Sequence, residues 1–144
     1  MLFTPPDEFR RPRLISPITL KEIERVRERF PEAAYQELPS AAILVTLPNV
    51  PLADGWSHGE TTIWFVIPVG YPGPCPDCFW VEGKLRLASG AVPQAAQMQT
   101  IPETPIEALW FSWHVTDAQK QWNPARDKLA TYVSIILDRL GKVV

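Results

Sequence analysis

The chain has 144 residues, a net charge of −2 at neutral pH, 46% hydrophobic residues and 21% charged residues. This balance predicts one soluble globular domain, and the lack of a basic run argues against nucleic acid or an anionic membrane as a partner. No apolar run approaches the roughly 18 residues of a membrane span, and the N-terminus does not resemble a signal peptide. We therefore expect a cytoplasmic protein whose cysteines are reduced thiols.

Proline is common in this chain, with 16 residues. Because proline fixes φ and cannot donate to a strand ladder, we expect many short elements joined by rigid connections. Residues 1–18 include Pro5-Pro6 and arginines on both sides of Pro12, and they are predicted to form a flexible N-terminal arm. Residues 19–144 are predicted to form the folded domain.

The first predicted element is a helix over residues 19–30, in which apolar residues recur near helical spacing. Thr19 is predicted to cap it, and Glu22, three residues later, is predicted to complete a capping box. Pro31 ends the pattern, since the residue before a proline disfavours the helical conformation.

Runs of apolar and β-branched residues predict strands over residues 41–47, 61–67 and 79–87, the last with a bulge at Gly83. The short connections between them favour an antiparallel meander. The aromatic run at residues 109–113 is either a further short strand or a buried turn. We therefore expect an antiparallel β-meander of about four strands.

The last predicted element is a helix that Asn123 caps, with Pro124 at its first position and Gly141 as its stop. One apolar stripe along this helix is expected to face the sheet. Residues 88–108 show no clear period and are interpreted as a lid or a surface loop. A helix, a meander and a final helix together predict an α+β fold in which each helix buries its stripe on the sheet.

The motif Cys75-Pro-Asp-Cys78 allows several interpretations. A redox motif has its first thiolate activated at a helix N-terminus, but the residues after Cys78 are strand-like. A zinc site needs four ligands, whereas the sequence has no third cysteine and only two unpaired histidines, His58 and His114. The simplest interpretation is two half-buried thiols in a turn. A metal or disulfide site, or a nucleophilic thiol, is the alternative.

His114 is the leading candidate for chemistry near neutral pH, because imidazole can act there as acid, base or nucleophile. Asp117, three residues later, would orient the ring if the segment turns. The rigid turn at Tyr71-Pro72 is interpreted mainly as structural, with a phenol that can hydrogen-bond across the loop. A packed or capping histidine is the alternative to a catalytic one.

Several short motifs follow one another along the chain: Tyr71-Pro72, Pro76-Asp77-Cys78-Phe79, Trp110, His114, Trp122-Asn123-Pro124 and Asp127-Lys128-Leu129. Their order and spacing resemble the ubiquitin-conjugating (UBC-like) superfamily over roughly residues 19–141. More narrowly, the chain resembles the prokaryotic ubiquitin-conjugating-enzyme-like family E.

The resemblance implies a UBC-like fold and a role in a bacterial system that attaches a ubiquitin-like protein to targets. It implies a ubiquitin-like protein and a ThiF-like activating enzyme as partners, with a JAB-type metalloprotease as a further one. The activating enzyme is expected to dock on the N-terminal arm and the first helix. No cofactor, metal, nucleic acid or membrane is expected.

The sequence departs from this family at the position of the catalytic cysteine. In ordinary members a cysteine eight residues before the Trp of Trp-x-Pro carries the cargo as a thioester. Counting back from Trp122 places His114 at that position, and the usual His-Pro-Asn motif is not visible. Trp122 and Asp127, at the entrance to the last helix, are expected to support the pocket.

Three hypotheses follow from this departure. The chain is a non-catalytic binding module for a ubiquitin-like protein or its activating enzyme. Alternatively, it is a transferase with an atypical site at His114, with Asp117 and Tyr71 as neighbours. In the third hypothesis, Cys75 or Cys78 has become the nucleophile.

Overall fold

A computed structural model describes residues 15–113 and 122–144. The described residues form two helices and six strands. In chain order these are α1 (Pro17–Arg29), β1 (Ala34–Glu37), β2 (Ile43–Pro51), β3 (Glu60–Ile67), β4 (Phe79–Glu82), β5 (Ala96–Thr100), β6 (Glu107–Phe111) and α2 (Leu129–Gly141). The fold is therefore α+β, with one helix before the sheet and one after it.

The helix α1 begins at Pro17 because Ser16 caps it: the Ser16 hydroxyl accepts a hydrogen bond of 3.2 Å from the Thr19 amide. Pro17 suits the first position, where its missing N–H would have no helical partner. The predicted capping box is therefore wrong, since Thr19 donates to the cap instead of being the cap. The Glu22 carboxylate, which would have completed the box, binds elsewhere.

The six strands form one antiparallel sheet in the order β1-β2-β3-β4-β6-β5. The predicted meander of β2, β3 and β4 is confirmed, but the predicted number of about four strands is wrong. The missed strands β1 and β5 are the edges of the sheet, where exposed side chains leave no hydrophobic alternation to recognise. Because β5 lies within residues 88–108, that region is more than a lid or a surface loop.

Two strand ends also differ from the prediction. The strand β2 continues to Pro51 instead of ending at residue 47. The strand β4 ends at Glu82, where the Leu85 amide donates to the Glu82 carbonyl at 3.1 Å and closes a turn. Gly83 therefore lies in a turn and not in a strand bulge. A Cβ there would lie 2.9 Å from Met98 Cε, the flexible end of a side chain on β5.

Both helices cover one face of the sheet, the inner face, and the described residues place no helix on the other, outer face. On the inner face, apolar side chains of the central strands pack with the buried sides of α1 and α2 in one core. The outer face carries a smaller cluster that contains Trp80. Trp64, Trp80 and Trp110 are neighbours in register across β3, β4 and β6. The expectation that each helix buries its stripe on the sheet is confirmed, and both use the same face.

The helix α2 begins at Leu129, so the predicted start at Asn123 is wrong. The Asn123 carbonyl accepts hydrogen bonds from the Arg126 and Asp127 amides at 2.9 and 2.7 Å. The Asp127 carboxylate in turn accepts from the Asn123 amide at 2.8 Å. These bonds close a separate turn, which precedes the helix. The helix ends at Gly141, as predicted.

Candidate functional site

The connection between β3 and β4 contains residues 71–78, which we call the Tyr-Pro loop. The Tyr71 hydroxyl donates a hydrogen bond of 2.5 Å to Glu22 Oε1 on α1. The Leu129 amide at the start of α2 donates to the same oxygen at 2.9 Å. One carboxylate oxygen therefore ties this loop to both helices.

Both neighbours of residues 114–121 contact the Tyr-Pro loop. The Cys78 amide donates to the Trp113 carbonyl at 3.3 Å. The Trp122 Nε1 donates to the Pro72 carbonyl at 3.2 Å, and the Trp122 and Tyr71 ring centroids lie 6.1 Å apart. Trp113 and Trp122 thus both lie against the Tyr-Pro loop, the first beside Cys78 and the second beside Pro72.

The two leading sequence candidates, His114 and Asp117, lie outside the described residues. The other three candidates, Tyr71, Cys75 and Cys78, all belong to the Tyr-Pro loop. Their surroundings show whether any of them is activated as a nucleophile or a base.

Cys75 is half-buried and packs against the inner core. Burial raises the pKa of the Cys75 thiol, and the negative charge of Asp77 raises it further. Nucleophilic cysteines are usually activated by the opposite shift, which produces the thiolate near neutral pH. These surroundings therefore keep Cys75 protonated at neutral pH.

Cys78 is buried, with 8% of its surface exposed. Burial and the charge of Asp77 raise the pKa of its thiol, and hydrogen bonds from the Trp110 side chain and the Trp113 backbone partly offset this. The Tyr132 hydroxyl donates to the Cys78 carbonyl at 2.6 Å. Cys78 thus joins β4 to α2 and is less accessible to a substrate than Cys75. The two cysteines are not joined in a disulfide.

Tyr71 serves as a hydrogen-bond donor. Burial, and then the hydrogen bond to Glu22 and its charge, raise the pKa of the Tyr71 phenol well above its usual range. A phenol held in the protonated form is a poor general base. The described contacts therefore give Tyr71 a supporting role beside Trp122.

Trp122 and Asp127 both fix the segment that leads into α2. The Asp127 carboxylate is mostly buried and holds the Asn123 amide, while the Arg126 guanidinium contacts it at 3.1 and 3.2 Å. The turn that Asp127 closes follows directly after Trp122, whose indole is fixed on the Tyr-Pro loop. Asp127 thus supports the turn and not the first turn of the helix.

Sequence reasoning missed the role of Glu22. Thr19, Glu22, Ile23 and Val26 share one side of α1, and three of them are buried. A carboxylate on such a side requires hydrogen-bond donors, because a buried charge without partners is costly. This spacing was the available signal, although it does not identify Tyr71 and Leu129 as the donors.

Arg139 was also missed. It lies on the packed side of α2 with 2% of its surface exposed, and its guanidinium carbon is 5.3 Å from the centroid of the Trp113 ring. It thereby supports the residue that precedes His114. Its guanidinium donates to three backbone carbonyls, those of Gln94, Lys142 and Val144, at 2.7, 2.9 and 3.2 Å.

Residues 15–113 and 122–144 offer neither a metal-binding cluster nor a membrane-spanning helix. No group of three or more His, Cys, Asp or Glu side chains in these ranges is arranged to hold a metal ion. Within the same ranges, neither helix has the length and apolar character that crossing a bilayer requires.

Comparison with known proteins identifies the family. A family model described as prokaryotic E2 family E matches residues 28–143, which include all six strands, the Tyr-Pro loop and α2. No curated protein and no solved structure matches the chain. The resemblance inferred from the short motifs is thus confirmed. Because the match covers well over half of the 144 residues, the chain belongs to the prokaryotic E2 family E.

Proposed function

We propose that this protein is the E2-like component of a bacterial system that attaches a ubiquitin-like protein to targets. Family membership supports this class of function. The observation that supports the location of the working surface is the contact of the Tyr-Pro loop with both Trp113 and Trp122. We call the Tyr-Pro loop together with Trp113 and Trp122 the reaction surface. His114, the proposed acceptor, follows Trp113 directly in the sequence.

In this proposal His114 accepts the cargo. A neutral imidazole nitrogen attacks the carbonyl carbon of the thioester that links the ubiquitin-like protein to the activating enzyme. The C–S bond breaks, the thiolate leaves, and the proton of the other ring nitrogen is released to that sulfur or to water. Asp117 orients the ring. Because an acyl-imidazole hydrolyses readily, transfer to the target amine must follow quickly.

The partners of the proposed function are a ubiquitin-like protein and a ThiF-like activating enzyme, with a JAB-type metalloprotease that removes the cargo again. The activating enzyme docks on the N-terminal arm and α1. A groove of about 390 Å³ between α1 and the start of α2 supports this docking face. Ile18 gives the groove an apolar wall, and Lys21, Arg25 and Lys128 surround it with positive charge. Such a groove suits an acidic partner surface.

A non-catalytic binding module is the second candidate function, and the two cysteines favour it. Neither Cys75 nor Cys78 is in surroundings that activate a thiol, so neither has the properties of a relocated nucleophile. In this case the reaction surface binds the ubiquitin-like protein or its activating enzyme without forming a bond.

The intact mass of the protein after incubation with activating enzyme, ATP and ubiquitin-like protein tests the proposal. The wild type is compared with His114→Ala and with a Cys75→Ser, Cys78→Ser double variant. We expect an adduct with the wild type and the double variant, and none with His114→Ala.

Other outcomes select among the hypotheses. An adduct lost only in the double variant would assign the chemistry to a cysteine and remove His114 from its role. No adduct with any variant, while the activating enzyme itself becomes charged, would contradict the transferase. Binding of the ubiquitin-like protein or the activating enzyme under those conditions would support the module.

A further inference from the structure

Glu22 makes contacts that neither the family match nor the proposed chemistry assigns. Its Oε1 atom accepts one hydrogen bond from Tyr71 on the Tyr-Pro loop and another from the Leu129 amide of α2. The two donors are 49 and 107 residues from Glu22 along the chain. The family match begins at residue 28, so Glu22 lies outside it while both donors lie inside.

The Glu22 carboxylate acts through hydrogen bonds and not through an ion pair. Lys21, Arg25 and Lys128 line the same groove, but none of the ion pairs among residues 15–113 and 122–144 involves Glu22. A charged acceptor strengthens both of its hydrogen bonds. It also binds the Leu129 amide, one of the N–H groups at a helix start that have no partner within the helix.

The contacts of Glu22 continue to the reaction surface through Tyr71. The Tyr71 ring packs beside Trp122, and the adjacent Pro72 carbonyl accepts the Trp122 Nε1 hydrogen bond. Trp122 is thus the part of the reaction surface that Tyr71 and Pro72 contact directly. Loss of the Glu22 carboxylate would leave a half-buried phenol without its acceptor, which favours displacement of the loop.

We propose that Glu22 is a positioning residue: one carboxylate oxygen sets the place of the Tyr-Pro loop relative to the start of α2. It thereby holds the reaction surface in its working arrangement. The first statement, that Glu22 sets the place of the loop, concerns the loop alone. The second statement, that Glu22 holds the reaction surface in its working arrangement, rests on the proposed function. The two can be tested separately.

The position of the loop is tested by the alkylation rate of Cys75 with iodoacetamide, measured by peptide fragmentation. Cys75 lies in the Tyr-Pro loop and is half-buried, so a displaced loop exposes its thiol. We expect Glu22→Ala to raise the rate about tenfold, because two charge-assisted hydrogen bonds no longer oppose local opening. Glu22→Gln should stay close to the wild type, since its amide oxygen still accepts. Tyr71→Phe, which removes one donor and keeps the ring, should give an intermediate rate.

Two control variants separate this effect from general loss of stability. Glu24→Gln changes an exposed carboxylate of the same helix, which pairs with Arg27, and should leave the rate unchanged. Val26→Ala weakens the packing of α1 without touching the loop, and should lower the melting temperature with little effect on labelling well below it. Equal labelling of Glu22→Ala and Val26→Ala at equal stability would overturn the proposal.

The same variants in the adduct assay test the effect on function. We expect Glu22→Ala to form adduct about tenfold more slowly, with Glu22→Gln restoring most of the rate. Unchanged adduct formation by Glu22→Ala would overturn the second statement. If the wild type forms neither adduct nor complex, the proposed function and the second statement fail together. The labelling experiment still decides the first statement in that case.

Discussion

The two faces of the sheet are held in different ways. The inner face packs against both helices, and the polar atoms buried there have partners. The Tyr132 hydroxyl donates to the Cys78 carbonyl, and the Trp56 Nε1 donates to the Leu140 carbonyl at 2.8 Å. These bonds connect α2 to the sheet and to its loops, so the inner face fixes the geometry of the Tyr-Pro loop.

The outer face is covered by loops from opposite edges of the sheet. The loop after β1 and the loop after β5 meet there, and Ser40 donates to the Glu103 carboxylate from its amide at 2.8 Å and from its hydroxyl at 2.7 Å. The buried Trp80 Nε1 has no hydrogen-bond partner among the described residues. The hydrogen bonding of buried polar atoms is thus less complete on the outer face than on the inner face. We expect substitutions on the outer face to cost less stability than substitutions on the inner face.

The largest effect expected from this comparison comes from two leucines of β2. Leu47 lies in the inner core and Leu44 in the outer cluster, and both are buried. We expect Leu47→Ala to lower the free energy of unfolding by about 4 kcal/mol and Leu44→Ala by about 2–3 kcal/mol. The outer loops can move into the cavity left by Leu44→Ala, whereas the helices are less able to move into the cavity left by Leu47→Ala. Urea denaturation measures both, and a cost for Leu44→Ala equal to that of Leu47→Ala would remove the distinction.

Two tryptophans give a second matched pair. Trp56→Phe removes the hydrogen bond to the Leu140 carbonyl, whereas Trp80→Phe removes an N–H group that has no partner in the described structure. Both variants lose part of a large ring, so the difference between them reports on the hydrogen bond. We expect Trp56→Phe to cost about 1–2 kcal/mol more in unfolding free energy than Trp80→Phe. Equal costs would mean that Trp80 Nε1 is satisfied, for instance by water.

Sequence reasoning recovered the elements whose residues carry a periodic pattern. The helix α1 and the three central strands β2, β3 and β4 were found because their buried residues recur at the spacing of a helix or a strand. The edge strands β1 and β5 were missed because one sheet neighbour and exposed side chains leave little of that pattern. An edge strand is defined by its pairing with a strand elsewhere in the chain, and a short stretch of sequence does not contain that information.

The start of α2 was misplaced for a related reason. Asn123 and Pro124 are good residues for a helix start, but the same chemistry also suits an isolated turn. The Asp127 carboxylate accepts a hydrogen bond from the Asn123 amide, and this bond favours the isolated turn over a helix start. The candidate site shows the same dependence on long-range contacts. Tyr71 and Cys75 belong to local motifs and could be found from the sequence. The role of Glu22 depends on Tyr71 and Leu129, residues remote from it in sequence.

The contact between Ser40 and Glu103 tests how strongly the outer face depends on its loops. Glu103→Gln removes the charge of the acceptor and keeps its shape. Because the contact is exposed, we expect a loss of only about 0.5 kcal/mol in unfolding free energy. Ser40→Ala removes the hydroxyl donor and should behave alike. A double-mutant cycle of the two variants measures their coupling. A coupling of several kcal/mol would show that the outer loops carry as much stability as the helices do.

A further expected effect concerns the inner face and appears only at alkaline pH. Burial raises the pKa of the Cys75 thiol and of the Tyr71 and Tyr132 phenols, all of which pack with the inner core. The unfolded chain therefore loses these protons at lower pH than the folded protein does. The side-chain pKa in the unfolded chain is about 8.5 for cysteine and about 10 for tyrosine. Their contribution to stability is complete below those values and is lost as pH rises through the folded pKa.

We therefore expect the free energy of unfolding to fall as pH rises above about 8.5, and to fall more steeply above about 10. In Cys75→Ser the first part of this fall should be shallower, because serine does not titrate in this range. The second part, which belongs to the phenols, should be unchanged. Denaturation of both proteins at a series of pH values measures the difference. Parallel curves for the wild type and Cys75→Ser would mean that the thiol titrates alike in the folded and unfolded chains, and that the Tyr-Pro loop does not shield it.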